Sequence, residues 1–356
     1  MEGLVEVVRE RLGEEVAVVE ADSAGLSRPR AAAALLLGGG GVEEVREAVG
    51  SAGATIVHAH NLLPGFGARA LEAARQAGAK VVLHLHQFRV VCAVGVCFTR
   101  GAPCTRCHGR NTLPGVVRRC RGPLAESVVY GLALSLWQRR LLRAADVVLV
   151  PSGFAAHRLR ELRAPLGRTW LEVLPPPIAL EETSPEEARF ALIASRLTPE
   201  KGVDLGLRAC AAAGVAVEVA GDGPQRRQLE ALATELGLDA RFHGALPPAQ
   251  LARLRRSAGV ALVPSRSENF PTAAAEAMAC AVPVAATDVG GIGELVPAEW
   301  LAPPDDVAAL AQRIAELWGD HEAGEEGRRL VRERCAPELV AARLGAIYAS
   351  LREGTG

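Results

Sequence analysis

Short apolar runs alternate with helical patterns along the whole chain. Val16–Glu20, Ala54–His58, Val81–His86 and Val147–Val150 form a first set, and Phe190–Ala194, Val215–Ala220, Gly259–Val263 and Val282–Ala286 a second. Apolar runs this short, bounded by turn residues, read as strands. The alternation predicts parallel sheets flanked by helices, an α/β class with two Rossmann-like domains. Glu2–Leu12 reads as an amphipathic helix and Pro337–Arg352 as a terminal one. Leu174–Ala188, which holds Pro175-Pro176-Pro177 and an acidic stretch, is the expected linker. The expected divisions are residues 1–178, 179–336 and a terminal helix 337–356. Ligands of open α/β sheets sit beyond the carboxyl ends of the strands, so two facing domains predict a central cleft.

Composition narrows the partners. The 356 residues are 49% hydrophobic, 4% aromatic and carry a formal net charge of -1. That balance offers neither a chain-wide basic surface nor an aromatic platform, so nucleic acid is not an expected partner. Apolar runs such as Val128–Trp137 are too short to span a bilayer, and the N-terminus shows no signal-peptide pattern. The expected location is the cytoplasm, peripheral to a membrane if Arg118–Arg143, which mixes arginines with apolar residues, touches anionic lipid.

Candidate chemistry concentrates in Pro264–Val296, PSRSENFPTAAAEAMACAVPVAATDVGGIGELV. Glu268 falls in the loop after an apolar strand, Pro271 at the first helical position, and Glu276 one turn after Thr272 on the same helix face. The helix N-terminus favours a phosphate, and the carboxylates suit sugar hydroxyls. On spacing alone, a solvated loop residue and a surface helix residue are equally good readings. Upstream, SRLTPEKGVDL places Arg196 and Lys201 just after a strand. Lys80 and Lys201 are the only lysines among 40 basic residues, which suggests a need for a compact ammonium at position 201. Gly221-Asp222-Gly223-Pro224 makes a further strand-to-helix turn, and VHAHNLLPG and LHLHQF end two strands of the first domain with histidines.

These segments together resemble the retaining family 4 glycosyltransferases of GT-B fold. The run SENFPTAAAEAMACAVPVAATDVGGIGELV matches that signature almost position by position, with Ala281 where many members have glycine. The resemblance implies that Glu268 contacts the donor sugar, that Glu276 meets the ribose hydroxyls, and that Arg196 and Lys201 clamp the leaving diphosphate. It places Asn269, Phe270, Pro271 and Thr272 at the nucleotide, with Gly221 and Gly223 close by and His86 near the donor sugar, and it implies that the terminal helix 337–356 crosses back to the first domain. Gln87 stands where an acidic residue is common, and His60 and Asn61 are candidates for the acceptor side.

Five of the eight cysteines, Cys92, Cys97, Cys104, Cys107 and Cys120, fall in an insertion of about residues 90–122. CTRCH has the spelling of a c-type haem attachment, which the missing export signal and axial-ligand context set aside. A structural zinc held by Cys104, Cys107, Cys120 and one of Cys92, Cys97 or His108 stands beside free or disulfide-paired thiols.

The resemblance thins at the start of the chain. Family members open with a strand and a glycine-rich loop, whereas here Glu2–Leu12 is already helical and Val16–Glu20 reads as the second strand. The first strand is therefore expected to be absent, with a start codon assigned too late as the simplest cause. The resulting expectation is a metal-independent, hexosyltransferase-type retaining glycosyltransferase, needing no cofactor. It would use a nucleoside diphosphate sugar and a small-molecule, glycan or lipid-linked acceptor. The alternative is a non-catalytic GT-B scaffold or regulatory subunit of another transferase.

Overall fold

A computed structural model describes residues 2–21, 27–181 and 188–354. Residues 182–187 of the expected linker lie outside them. The chain divides into one compact unit of Met1–Pro175 with Val340–Gly356 and another of Pro176–Leu339.

The first unit contains β1 (Ile56–His60), β2 (Lys80–His84), a short hairpin of β3 (Phe98–Thr99) and β4 (Ala102–Pro103), then β5 (Val147–Val150) and β6 (Trp170–Val173). The order β1-β2-β5-β6 makes a parallel sheet. Its central strands are covered on both faces, which is why they read as unbroken apolar runs. Val81, Val82, Leu83 and all of β5 are at most 1% exposed. The terminal helix Pro337–Glu353 carries Val340, Leu344, Ile347, Tyr348 and Leu351 on one stripe, at the spacing of an amphipathic face. That stripe packs on Val82, Val147 and Leu149, so the end of the chain completes the first unit's core.

One expected strand is corrected here. Among the described residues β1 pairs with β2 alone, and Val16–Glu20 forms no strand. A cavity of about 980 Å³ lined by both Val16–Glu20 and β1 separates the two segments, so the apolar run has no edge within hydrogen-bond reach and stays irregular. The cysteine-bearing insertion is tied into the same unit. Val90, Val91 and Cys97 enter the core cluster that contains Leu83 and Leu142, so apolar burial anchors this segment.

The second unit contains β7 (Phe190–Ala194), β8 (Val217–Ala220), β9 (Ala240–Gly244), β10 (Ala258–Val263), β11 (Val284–Thr287) and β12 (Leu301–Ala302). Their order is β12-β11-β10-β7-β8-β9, all parallel. The chain winds outward in one direction from β7 and in the other from β10, so the topological switch point lies between these neighbours. Thr272–Ala279 follows β10, with Pro271 as its cap residue and not its first helical residue. Ala281, which ends this helix before β11, has φ +56°. Glycine adopts that conformation freely, and an alanine there costs about 1 kcal/mol.

Candidate functional site

A cavity of about 270 Å³ opens at the switch point, lined by Ala194–Arg196 at the end of β7, by Leu262–Ser265 and Glu268 at the end of β10, and by Lys201, Phe270, Thr272, Ala273 and Glu276. Arg196, Lys201, Glu268, Phe270, Thr272 and Glu276 are thus gathered at one place from two distant parts of the sequence. The same cavity receives the N-terminal end of Thr272–Ala279, whose dipole favours an anion.

Backbone close approach sets the position of Lys201. It ends a 3-10 turn, Pro199–Lys201, and the next residue, Gly202, has φ +61°. A Cβ at Gly202 would lie 2.0 Å from the Pro264 carbonyl oxygen, so only glycine lets this turn rest against the segment after β10. Lys201 Nζ then donates to Glu268 Oε2 at 2.5 Å. Both side chains are largely buried, at 18% and 13% exposure, and Ser265 Oγ donates to the same oxygen at 3.4 Å. Glu268 is therefore a partner that orients the ammonium, a role its spacing did not reveal. The remaining ammonium protons are geometrically able to serve an anion.

Arg196 lies 3.3 Å from Glu200 Oε1 and keeps 58% of its side chain exposed. Thr198 Oγ1 donates to the same Glu200 oxygen at 2.7 Å, which ties the loop together. Glu276 is ion-paired with Arg255. Burial pushes its carboxyl up, the Arg255 guanidinium opposes that shift, and Glu181 adds to it. Arg255 was not legible beforehand: it shares the helix Pro248–Arg256 with Arg253 and Arg256, and burial alone distinguishes it. Arg266 was missed in the same way. It bridges Asp204 at 2.7 Å and Asp305 at 2.6 Å. Burial would raise the Asp204 carboxyl, but the Arg266 guanidinium outweighs it and holds that group below the usual range.

Four expected residues, Gly221, Gly223, Asn269 and Pro271, are not among those lining this cavity. Gly221 and Gly223 act one step back, because they pack on the backbone of the loop that carries Arg196. A Cβ on Gly221 would lie 1.8 Å from the Ser195 carbonyl oxygen, and one on Gly223 would lie 2.5 Å from that of Leu197. Leu197 N–H donates to Asp222 at 2.9 Å, and its carbonyl accepts from Gln225 at 3.1 Å.

In the first unit, His58 and His60 of β1 share one strand face, as do His84 at the end of β2 and His86 just beyond it. The register sets His60 opposite His84. The four rings form a block: His58–His60 and His84–His86 stack at 4.5 Å, and His60–His86 at 5.2 Å. His60 Nδ1 and His86 Nε2 are 2.9 Å apart, and His58 Nδ1 is 2.7 Å from the Tyr348 hydroxyl. Burial lowers all four; His60 falls to about 3 and His86 to about 4, so neutral imidazoles stand there at neutral pH. His86 can thus exchange hydrogen bonds with a sugar hydroxyl, not act as a cation. Beside it, the side-chain oxygen of Gln87 is buried without a hydrogen-bond partner.

The five clustered cysteines line a single small cavity of about 20 Å³. Cys92 is lowered to about 6, mainly by the hydrogen bond from the Cys97 thiol, with backbone N–H groups helping and burial opposing. Cys107 Sγ faces the Thr112 carbonyl and Cys120 Sγ the Thr99 hydroxyl, each at 3.9 Å. Among the described residues, no three of these thiols close to metal spacing; the one set that does is His58, His60 and His84. The expected zinc ligands Cys104, Cys107 and Cys120 are brought together at this cavity, beside Cys92 and Cys97.

Two family models match nearly end to end: Glycosyl transferase 4-like domain over residues 4–176 and Glycosyl transferases group 1 over 178–333. The chain is 30% identical over 243 residues to the putative colanic acid biosynthesis glycosyltransferase WcaL of Salmonella typhimurium, covering 60% of this chain and 58% of that protein. It is 40% identical over 108 residues to the 2-deoxystreptamine glucosyltransferase of Streptomyces kanamyceticus, covering 29% of this chain and 28% of that one. The matches therefore span little more than half the length of such relatives, or less. Among solved structures, the sucrose-phosphate synthase of Thermosynechococcus elongatus superposes with a TM-score of 0.70 at 22% identity, covering 96% of this chain and 87% of that one. HepE of Anabaena, in complex with UDP and glucose, gives 0.62 at 19% identity, covering 87% and 81%. Both likenesses place the fold in the GT-B class.

Proposed function

The chain belongs to the glycosyl transferases group 1 family, and from that premise we propose that it moves a sugar from a nucleoside diphosphate donor to an acceptor hydroxyl with retention of anomeric configuration. The observation that carries this reading is the convergence of Lys201, Glu268, Arg196 and Glu276 on one cavity at the switch point of the second unit. Lys201 and Arg196 neutralise the departing diphosphate together with the dipole of Thr272–Ala279, all fixed in place before reaction. Glu276, steadied by Arg255, accepts hydrogen bonds from the ribose, and Glu268 orients both Lys201 and the donor sugar. The bond from the anomeric carbon to the phosphate oxygen breaks while the acceptor oxygen bonds that carbon on the same face. The acceptor proton passes to the released diphosphate, so no protein nucleophile is required.

The HepE complex with UDP and glucose supports a uridine donor as the first to test. A lipid-linked acceptor is supported by the surface of the first unit. There Leu113, Val117, Leu124, Leu132 and Leu136 are each at least 50% exposed, near the arginines of Leu124–Ala144. No helix among the described residues is long and apolar enough to cross a membrane.

A panel of nucleotide sugars, followed by NMR of the product, tests the proposal. Transfer with the donor's own anomeric configuration is expected. An inverted product would refute the retaining mechanism and leave the family assignment standing.

A further inference from the structure

The histidine block does more than the donor reading asks of it, since that reading uses His86 alone. We propose that His58, His60 and His84 form a binding site for a divalent d-block cation of the zinc type, with Tyr348 and His86 positioning two of the three ligands. One ring nitrogen from each ligand lies within 4.8 Å of the others. Three imidazoles are a donor set suited to zinc and its neighbours, and a small closing movement of the rings brings the nitrogens to bonding distance.

Two further observations point to a ligand. His58 Nε2 and His84 Nδ1 are buried with no hydrogen-bond partner, although buried polar atoms are nearly always paired. His84 is only 3% exposed, so solvent does not relieve its orphaned nitrogen. The outer contacts are also those of metal-binding histidines, whose second nitrogen is held by a neighbour that fixes ring orientation. Tyr348 holds His58 through Nδ1 at 2.7 Å, which leaves its Nε2 for the cation. His86 holds His60 through Nδ1 at 2.9 Å, again leaving Nε2. His58 and His60 border the cavity of about 980 Å³ beside β1, which has room for a water or another ligand in a fourth position. The backbone explains the convergence: i and i+2 put His58 and His60 on one face, and the β1–β2 register brings His84 opposite His60.

The test uses the full chain after chelator treatment, titrated with cobalt(II). One equivalent should bind with the visible d–d bands of a four-coordinate site and without a thiolate charge-transfer band. His84→Gln and His60→Gln should each weaken binding at least ~100-fold, while Tyr348→Phe, which removes a positioning group, should weaken it roughly 10–100-fold. Cys104→Ser should change nothing. Failure of the folded protein to take up cobalt would overturn the proposal. So would a sulfur charge-transfer band that disappears in Cys104→Ser, or an undiminished affinity in Tyr348→Phe should the histidine variants fold poorly. UDP binding by the second unit is read separately and is expected to be the same with and without the metal.

Discussion

Lys201→Ala is expected to lower kcat/KM for sugar transfer by about 10²–10³-fold, the loss seen when one fixed group that stabilises transition-state charge is removed. The structure gives two reasons for an effect of this size. The ammonium is largely buried at the cavity, where its interaction with a diphosphate is stronger than in water. Its removal also leaves Glu268, 2.5 Å away in the native site, as an uncompensated carboxylate facing the same diphosphate. Lys201→Arg should recover little, because a planar guanidinium spreads its charge over a fork and does not reproduce the compact ammonium that Lys201 presents beside Glu268. Steady-state kinetics on variants of native circular dichroism checks this, and a loss below tenfold would remove Lys201 from the mechanism.

The second large effect is structural. Gly221→Ala is expected to destabilise the second unit by about 3 kcal/mol through combined steric overlap and backbone strain, a drop in Tm of roughly 6–12 °C for a unit of this size. Gly221 has φ +136°, open in practice to glycine alone, and its α-carbon faces the Ser195 carbonyl so closely that a methyl would sit 1.8 Å from the oxygen. Either β8 or the loop after β7 has to move. Because that loop carries Arg196, the variant should also bind nucleotide more weakly than its stability loss alone explains. Thermal melting with and without UDP separates the two contributions. An unchanged Tm would mean that the loop is free to shift and does not hold Arg196 in place.

How far these features could be read beforehand follows from where each residue lies. The buried strands of the second unit were legible because a parallel strand covered on both faces must be apolar throughout, as β10 is. The half-buried edge strand Trp170–Val173 was missed, since its mixed residues carry no such signal. Val16–Glu20 misled in the opposite sense: strand-forming composition is local, whereas a strand needs a partner edge, which this segment does not have among the described residues. At the candidate site, Arg196, Lys201 and the two glutamates were visible through their motifs. Their pairings were not, because Lys201 with Glu268 and Arg255 with Glu276 depend on tertiary contacts across 67 and 21 residues. The histidine block shows the same limit. Alternate spacing puts His58 with His60, but only the register of β1 on β2 brings His84 opposite them.

The central claim is that the second unit carries a complete site for a nucleoside diphosphate at the switch point between β7 and β10. Calorimetric titration of the full chain with UDP and GDP tests it most directly. The expected result is saturable binding of one nucleotide per chain, with UDP preferred, weakened at least ~10-fold by Glu276→Ala as the ribose contacts are lost. A folded protein that binds neither nucleotide would contradict the claim and favour a GT-B subunit with a scaffolding role.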